Sequence, residues 1–375
     1  MATHHPVFIN AFPDFLREAA RTSPDRDALY RLMKECMELE NKYLVAGTLE
    51  AHMRDAGEED ALVSLSVFYN KIDRYLELIR DVNIVIFGAG PSGLTLASAC
   101  DRNEALVLEK RSEAKYARRY YILFFRKATV EKMKSYPALR DIQREMISVS
   151  KQPWDTEAGT IVPAVQAEGT DPIVGFVTRL GDLQVALRQT AHANGNDVVF
   201  ESTFDMDKLH RAYPDRRIVD ATGGRGRHEI KKGEFGGTVT LSSRLTPDEM
   251  KRHLRPPRDK TRYFCVPEHG TDMYTYYFGL RISQVQYQAF RRHRGYLPML
   301  VFHPDEYFAM LDEGIIEDVQ QNVHIVVITP EDSPLVSDGL YRIGDARRSV
   351  DFFTATGATK GVEDALELAR KDESF

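Results

Sequence analysis

Val82-Asn-Ile-Val-Ile-Phe-Gly88-Ala-Gly90-Pro91-Ser92-Gly93-Leu94-Thr-Leu-Ala-Ser-Ala-Cys100, with Ala105-Leu-Val-Leu-Glu109 just after it, is the stretch whose reading decides the fold. Both apolar runs have the length of a buried strand. The first feeds a glycine turn and a helix-like segment, so the pattern is β-α-β. Gly88 permits the turn, Gly90 lets backbone approach a pyrophosphate, and Gly93 lets the helix lie close to the strand. The helix start, with Pro91 and Ser92, offers unpaired N–H groups and a positive dipole end to phosphates. Glu109 closes the second run where an acid can accept hydrogen bonds from a ribose hydroxyl. Together these residues predict a dinucleotide site.

Working outward, residues 1–80 read as a helical segment. Phe8 to Ala20, Asp25 to Ala56 and Glu58 to Arg80 carry apolar residues at three- and four-residue spacing, as in Leu29, Leu32, Met33, Cys36 and Leu39. The plain reading is a helical collar on the nucleotide domain, whose first part spans 81–234. After Glu109 a basic and aromatic stretch runs from Lys110 to Lys127, and a helix is predicted over Thr129 to Tyr136. Ile142 to Gly175 is loop-like or strand-like. Gly181 to Ala193 is an amphipathic helix stopped by Asn194-Gly195-Asn196. Strands follow at Asp197 to Phe200 and Arg217 to Asp220. Over 235–327 the pattern alternates with period two, as in Asp272-Met-Tyr-Thr-Tyr-Tyr-Phe-Gly-Leu280, which predicts an antiparallel sheet with one buried face. Helical stretches are expected there at Gln284 to Arg294 and Pro304 to Gln321. Residues 328–375 return to the first style, with the strand and turn Leu340-Tyr-Arg-Ile-Gly-Asp345 and a helix over Gly361 to Lys371. The fold class is therefore α/β: a Rossmann-like domain interrupted by an antiparallel-sheet substrate domain and preceded by helices.

Composition narrows the partners. The chain has 375 residues and a net charge of −6, so nothing draws it as a whole to nucleic acid or to an anionic membrane. A small molecule, or a protein or peptide, is the expected substrate. Only three cysteines occur, widely spaced, which fits a reducing compartment. No apolar run has the length of a membrane span and Met1-Ala-Thr-His-His-Pro6 lacks signal-peptide character, so a cytoplasmic location is expected. Cys265-Val-Pro-Glu-His269 has no second Cys/His pair at zinc spacing, and no metal is expected.

The early motif serves NAD and FAD alike, and the late one separates them. Gly344-Asp345-Ala346, then Ala355-Thr356-Gly357-Ala358-Thr-Lys-Gly361 leading into Val362-Glu-Asp-Ala-Leu-Glu-Leu368, places an acid beside a second helix N-terminus. An extended FAD uses such a partner for its ribityl hydroxyls, and a positive helix end near flavin N1 and O2 stabilises the anionic reduced ring.

At these motifs the chain resembles the group A flavoprotein monooxygenases, which have the p-hydroxybenzoate-hydroxylase-like fold. The matching elements are Gly88 to Gly93 with Glu109 and Arg111, the middle segment Ile218-Val-Asp-Ala-Thr-Gly-Gly-Arg-Gly-Arg227, and Gly344-Asp345 with its turn. The pattern is most similar to the MICAL-type monooxygenase domain, through Gly88 to Leu94, the triplet Glu109-Lys110-Arg111, Tyr116-Ala-Arg118, and Thr356-Gly357 with Gly361 in register. Ala355 departs from a glycine there, and Phe353 from a proline. The resemblance implies that Asp345 contacts the ribityl chain and Arg179 the flavin. Lys110, Arg111, Arg118, Thr356, Gly357 and Ala358 then join the glycine loop and Glu109 in holding FAD. It further implies NAD(P)H as a transient reductant, since no second G-x-G-x-x-G occurs, and oxygen transfer through a flavin C4a-hydroperoxide to an electron-rich substrate. No catalytic side chain is assigned, because the flavin carries the chemistry. Tyr274 and Tyr276, on one face of a strand, are expected to line the substrate pocket, against the plainer reading of sheet core. The alternatives are an FAD-dependent reductase or dehydrogenase of the same fold, or a flavin-binding protein without turnover.

Overall fold

Near-continuous apolar strands belong in a sheet covered on both faces, and Ile84–Phe87 (β1) is buried at all four positions. The computed structural model describes residues 78–79, 81–113, 121–150, 161–163, 172–200, 202, 206–222, 230–255, 262–268, 271–293, 295–327, 336–337, 339–347 and 357–372. The helical segment expected over 1–80 lies outside them but for Leu78 and Ile79.

After β1 the chain forms helix α1 (Pro91–Ala99) and returns as β2 (Ala105–Leu108). β1 pairs in parallel with β2 on one side and with β8 (Arg217–Asp220) on the other. The short β7 (Val198–Val199) extends the sheet beyond β2, and β14 (Leu340–Arg342), with its hairpin partner β13 (Val336–Ser337), extends it beyond β8. The order is thus β13-β14-β8-β1-β2-β7, and it reverses direction at β1. Helix α1 is buried from Gly93 to Ser98, between α3 (Leu180–Ala193) and the late helix α9 (Gly357–Asp372). Buried Asn196 ties its end down: the side chain accepts from Ala105 N–H at 2.9 Å and donates to the carbonyls of Ala97 and Asp101.

A second, three-stranded antiparallel sheet joins β3 (Ile122–Arg126), β4 (Ile147–Val149) and β6 (Gly175–Arg179) in the order β3-β6-β4, with helix α2 (Lys127–Lys134) following β3. The third sheet has five strands. It comprises β9 (Ile230–Ser243), β10 (Arg262–Pro267), β11 (Tyr274–Ser283) and β12 (Ile316–Val327), and it takes in β5 (Ile161–Pro163) parallel to β10, in the order β12-β9-β11-β10-β5. Its period-two alternation splits cleanly. Val239, Leu241, Tyr263, Cys265, Tyr276, Phe278 and Leu280 face one core, roofed by Leu297, Leu300, Val301, Phe302, Tyr307 and Met310 from helices and turns between β11 and β12. The opposite face bears Thr240, Ser242, Phe264, Val266, Thr275 and Tyr277, which stand across from one another in the ladder. Val266 on that face packs against Phe124, Val149 and Val177 of the second sheet.

The expected helix over Pro304 to Gln321 is corrected. Only Pro304–Asp312 is helical, because Gly314 takes φ +65° and ends it, and from Ile316 the chain gains a full ladder along β9. Ile315, Val319 and Val323 have helical spacing, yet a partner edge decides a short apolar run. β12 is itself an edge strand, with a register shift between Glu317 and Gln320 and Asp318 at φ +50°.

Phe278 has no exposed surface and meets Tyr263 and Phe302 edge-on. Phe278→Ala is expected to cost about 3–5 kcal/mol, read as a lower urea midpoint. A loss under about 1 kcal/mol would mean the roofing helices do not depend on this sheet face.

Candidate functional site

Four loops leave the carboxyl ends of adjacent parallel strands: Gly88–Gly93 after β1, Glu109–Arg111 after β2, Asp220–Thr222 after β8, and Gly344–Arg347 after β14. This edge, at the strand where the order reverses, is where open α/β sheets bind ligands.

At the first loop Gly88 takes φ +100°, and a Cβ there would strike the carbonyl of Ala221 at 2.7 Å. A Cβ on Gly93 would overlap the Gly88 carbonyl oxygen, so the close crossing of helix on strand admits glycine alone. Gly90 differs. A Cβ there meets nothing within 4 Å, so the loop is open on the side from which a ligand would approach the helix start. Pro91 is the first helical residue and lacks an N–H, which leaves Ser92 and Gly93 as the donors without an intrahelical acceptor.

Glu109 is almost fully buried. Oε2 accepts from Ala89 N–H and Oε1 from Arg111 N–H, both at 2.9 Å, and the Arg111 guanidinium stands 3.8 Å off. The carboxylate is thereby fixed to the glycine loop, with one lone pair left on each oxygen. Lys110 is exposed beside it. Gln184 of α3 fastens the loop from behind by donating to the Ala89 carbonyl at 2.9 Å.

The late motif reaches the same edge. Gly344, at φ +62°, and Gly361 both abut Ser92, and a Cβ on either would collide with the Ser92 hydroxyl. Asp345 is exposed, and its Oδ1 lies 3.6 Å from the position of a Cβ on Gly357, the first residue of α9, with Ala358 next in that helix. Asp364, fully buried in α9, accepts from Gly344 N–H at 3.1 Å and from Arg347 Nη1 at 2.6 Å.

Arg179 stands at the junction of β6 and α3. Its guanidinium is shared between Asp182, at 2.6 and 3.1 Å, and Glu268, at 3.4 Å. Glu268 Oε1 in turn accepts from Ser242 and Thr275, each at 2.7 Å. Five residues further on, α3 reaches the glycine loop through Gln184, and nine residues on Arg188 pairs with Glu113 beyond β2. Arg179 thus faces the third sheet through Glu268, and Arg188 lies toward the Glu109 end.

Tyr274 and Tyr276, expected to line a substrate pocket, are packed in the roofed core. Tyr276 has no exposed surface, donates to the Leu245 carbonyl and stacks on Phe278, while Tyr274 packs beside it in the roofed core. Their parity on β11 turns them away from the second sheet. The residues turned toward it are Thr275 and Tyr277, the latter 6.4 Å from Tyr121 and with its phenol pushed well up by burial. Arg118, Thr356 and the loop Gly224–Arg227 lie outside the described residues. Gln184, Glu268, Arg347 and Asp364 are the site residues that motif reading missed. A signal existed for two of them: Gln184 and Asp364 are polar residues within the apolar stripes of their helices. Among the described residues no cluster of His, Cys, Asp and Glu could hold a metal ion, and no helix is long and apolar enough to cross a membrane.

No family model matches the chain, and no curated protein does. Solved structures do show similarity. One is Pseudomonas aeruginosa PqsL in complex with 2-aminobenzoylacetate, at 16% identity over 78% of this chain and 88% of that one, with a TM-score of 0.49. Another is a flavoprotein/dehydrogenase from Cytophaga hutchinsonii, at 15% identity over 78% of each chain and a TM-score of 0.46. A third is aklavinone-11 hydroxylase in a ternary complex with FAD and aklavinone, at 16% identity over 78% of this chain and 62% of that one, with a TM-score of 0.45.

The glycine loop makes a sharp prediction about stability. Gly93→Ala forces the Gly88 carbonyl to move and should cost about 1–3 kcal/mol, whereas Gly90→Ala meets open space and should stay within about 1 kcal/mol of the parent. Thermal melting of the two variants side by side checks the asymmetry, and equal losses would refute the geometry of the crossing.

Proposed function

We propose that the protein is an FAD-dependent monooxygenase that takes electrons from NAD(P)H and places one atom of dioxygen on an electron-rich substrate. The observation that carries this reading is the meeting of two helix N-termini, those of α1 and α9, at one sheet edge through Ser92, Gly344 and Gly361. A nicotinamide dinucleotide calls on the first alone. A dinucleotide that continues through a ribityl chain into a ring has use for both. Bound there, FAD supplies the redox chemistry, accepting electrons from the nicotinamide and passing them to dioxygen.

The remaining work falls to this chain's own residues. Gly90 and the free N–H groups of Ser92 and Gly93 hold the pyrophosphate, and the positive end of α1 favours its charge. Glu109, its oxygens fixed by Ala89 and Arg111, keeps a lone pair on each for a ribose hydroxyl, with Lys110 and Arg111 adding positive charge nearby. Asp345 accepts from the ribityl chain, and Gly357 and Ala358 present the positive start of α9 to the electron-rich edge of the ring. Arg179 stands between Asp182 and Glu268, its charge balanced before any ligand arrives. The sheet face of Thr240, Ser242, Thr275 and Tyr277 is buried, and it keeps water from that flank of the reaction.

The protein should purify yellow, with FAD released on denaturation. Gly90→Val should remain folded and lose the flavin, because the side chain fills the space left for the pyrophosphate. Glu109→Gln keeps one acceptor but loses the charge, and should weaken FAD binding roughly tenfold to a hundredfold in a fluorescence titration. With NAD(P)H and a panel of electron-rich aromatic compounds, substrate-dependent oxygen uptake with an oxygenated product supports the monooxygenase. NAD(P)H oxidation that proceeds without such a product would make it a reductase instead.

A further inference from the structure

Asp364 is a carboxylate with no exposed surface in a helix that otherwise buries Val362, Ala365, Leu366, Leu368 and Ala369. A lone acid in such a stripe is costly unless its oxygens are satisfied. Here both reach across to one short turn. Oδ2 accepts from Gly344 N–H at 3.1 Å, and Oδ1 accepts from Arg347 Nη1 at 2.6 Å, with Glu367 a further 3.7 Å partner of the same guanidinium. Gly344 and Arg347 bracket Asp345, and the turn is closed by Arg347 N–H donating to the Gly344 carbonyl at 2.9 Å. Gly344 itself takes φ +62°, which glycine adopts at no steric cost and which turns its N–H toward Asp364.

We infer that Asp364, with Arg347, is a positioning residue: its buried carboxylate grips both ends of the Gly344–Arg347 turn and so sets where Asp345 is presented against the start of α9. The inference rests on the proposed FAD reading for the identity of what Asp345 meets. It assigns Asp364 no contact with the ligand. A change at Asp364 therefore reaches the ligand through the turn that carries Asp345, and the signature of the bound flavin separates this positioning role from a general loss of stability.

Asp364→Asn is the informative variant. It keeps one acceptor and the volume, and Arg347, partly exposed and still beside Glu367, is not left as a buried unpaired charge. FAD affinity of the apoprotein is measured by flavin fluorescence for the parent, Asp364→Asn, Asp345→Ala and the double variant, with the visible circular dichroism of the bound flavin recorded for each. Asp364→Asn should weaken FAD at least about tenfold and change the flavin dichroism. In the Asp345→Ala background it should cause no further loss, since coupled residues are non-additive. Arg347→Lys, which preserves the charge opposite Asp364, should fall between the parent and Asp364→Asn. Unchanged FAD affinity in Asp364→Asn, or losses that add fully in the double variant, overturn the inference and leave the cofactor reading standing. Failure of the parent protein to bind FAD overturns the cofactor reading and this inference with it.

Discussion

Three stretches of backbone must touch at Ser92. Gly344 and Gly361 come against its hydroxyl with no room for a Cβ on either, while one residue further along α1 Gly93 presses on the Gly88 carbonyl. The contacts of Gly344 and Gly361 with Ser92 join segments more than two hundred positions apart in the chain. An alanine at Gly344 or Gly361 would displace the Ser92 hydroxyl at the point where α1 meets α9, and one at Gly93 would push α1 off the Gly88 carbonyl. The electrostatics of the site is thus a consequence of packing: the dipoles converge because small residues let the helices converge.

Polar groups behind the loops complete that arrangement. Glu109, Asn196 and Asp364 are all buried with their side-chain oxygens hydrogen-bonded, chiefly to backbone groups of a neighbouring loop or strand end, whereas Gln184 donates to the Ala89 carbonyl but leaves its buried Oε1 without a protein partner. A buried acid or amide that is so committed fixes geometry at little net cost, whereas the same group without partners would be destabilising. Glu268 does the equivalent for the third sheet, taking hydroxyls from two of its strands and the guanidinium of Arg179 from the second sheet.

Much of this was legible in the sequence, for reasons that particular residues make plain. Gly88 to Gly93 and Glu109 are local patterns with one physical solution, and Gly344-Asp345 with the following helix has the same character. Which face of the third sheet turns toward the second sheet was not legible. Alternation along Tyr274 to Ser283 shows that the strand has two kinds of face, but which of them meets the second sheet depends on where Phe302, Tyr307 and Leu297 go. Tyr263, Tyr276 and Phe278 filled the roofed core, and the other face took the hydroxyls of Thr240, Ser242 and Thr275 together with Phe264 and Tyr277. The end of the expected helix over Pro304 to Gln321 misled for a related reason, because local sequence carries no information about an available β edge such as β9 offers from Ile316 on. Glu268 and Arg347 gave no sequence signal, since each acquires its role from a partner supplied by another segment.

The parallel sheet receives β14 only after the entire antiparallel sheet has been made, and α1 is covered by α9 later still. On a ribosome the chain emerges in that order, so the apolar flank of α1 and the open edge of β8 wait for their partners while residues 230–327 are synthesised and fold. Synthesis at about 5–20 residues per second makes that wait several seconds. During it the first half is an incomplete sheet with an unpaired strand edge, the state most prone to mispairing with another chain. Circular permutation that brings the last two elements ahead of the antiparallel sheet would shorten the interval in which that edge stays unpaired.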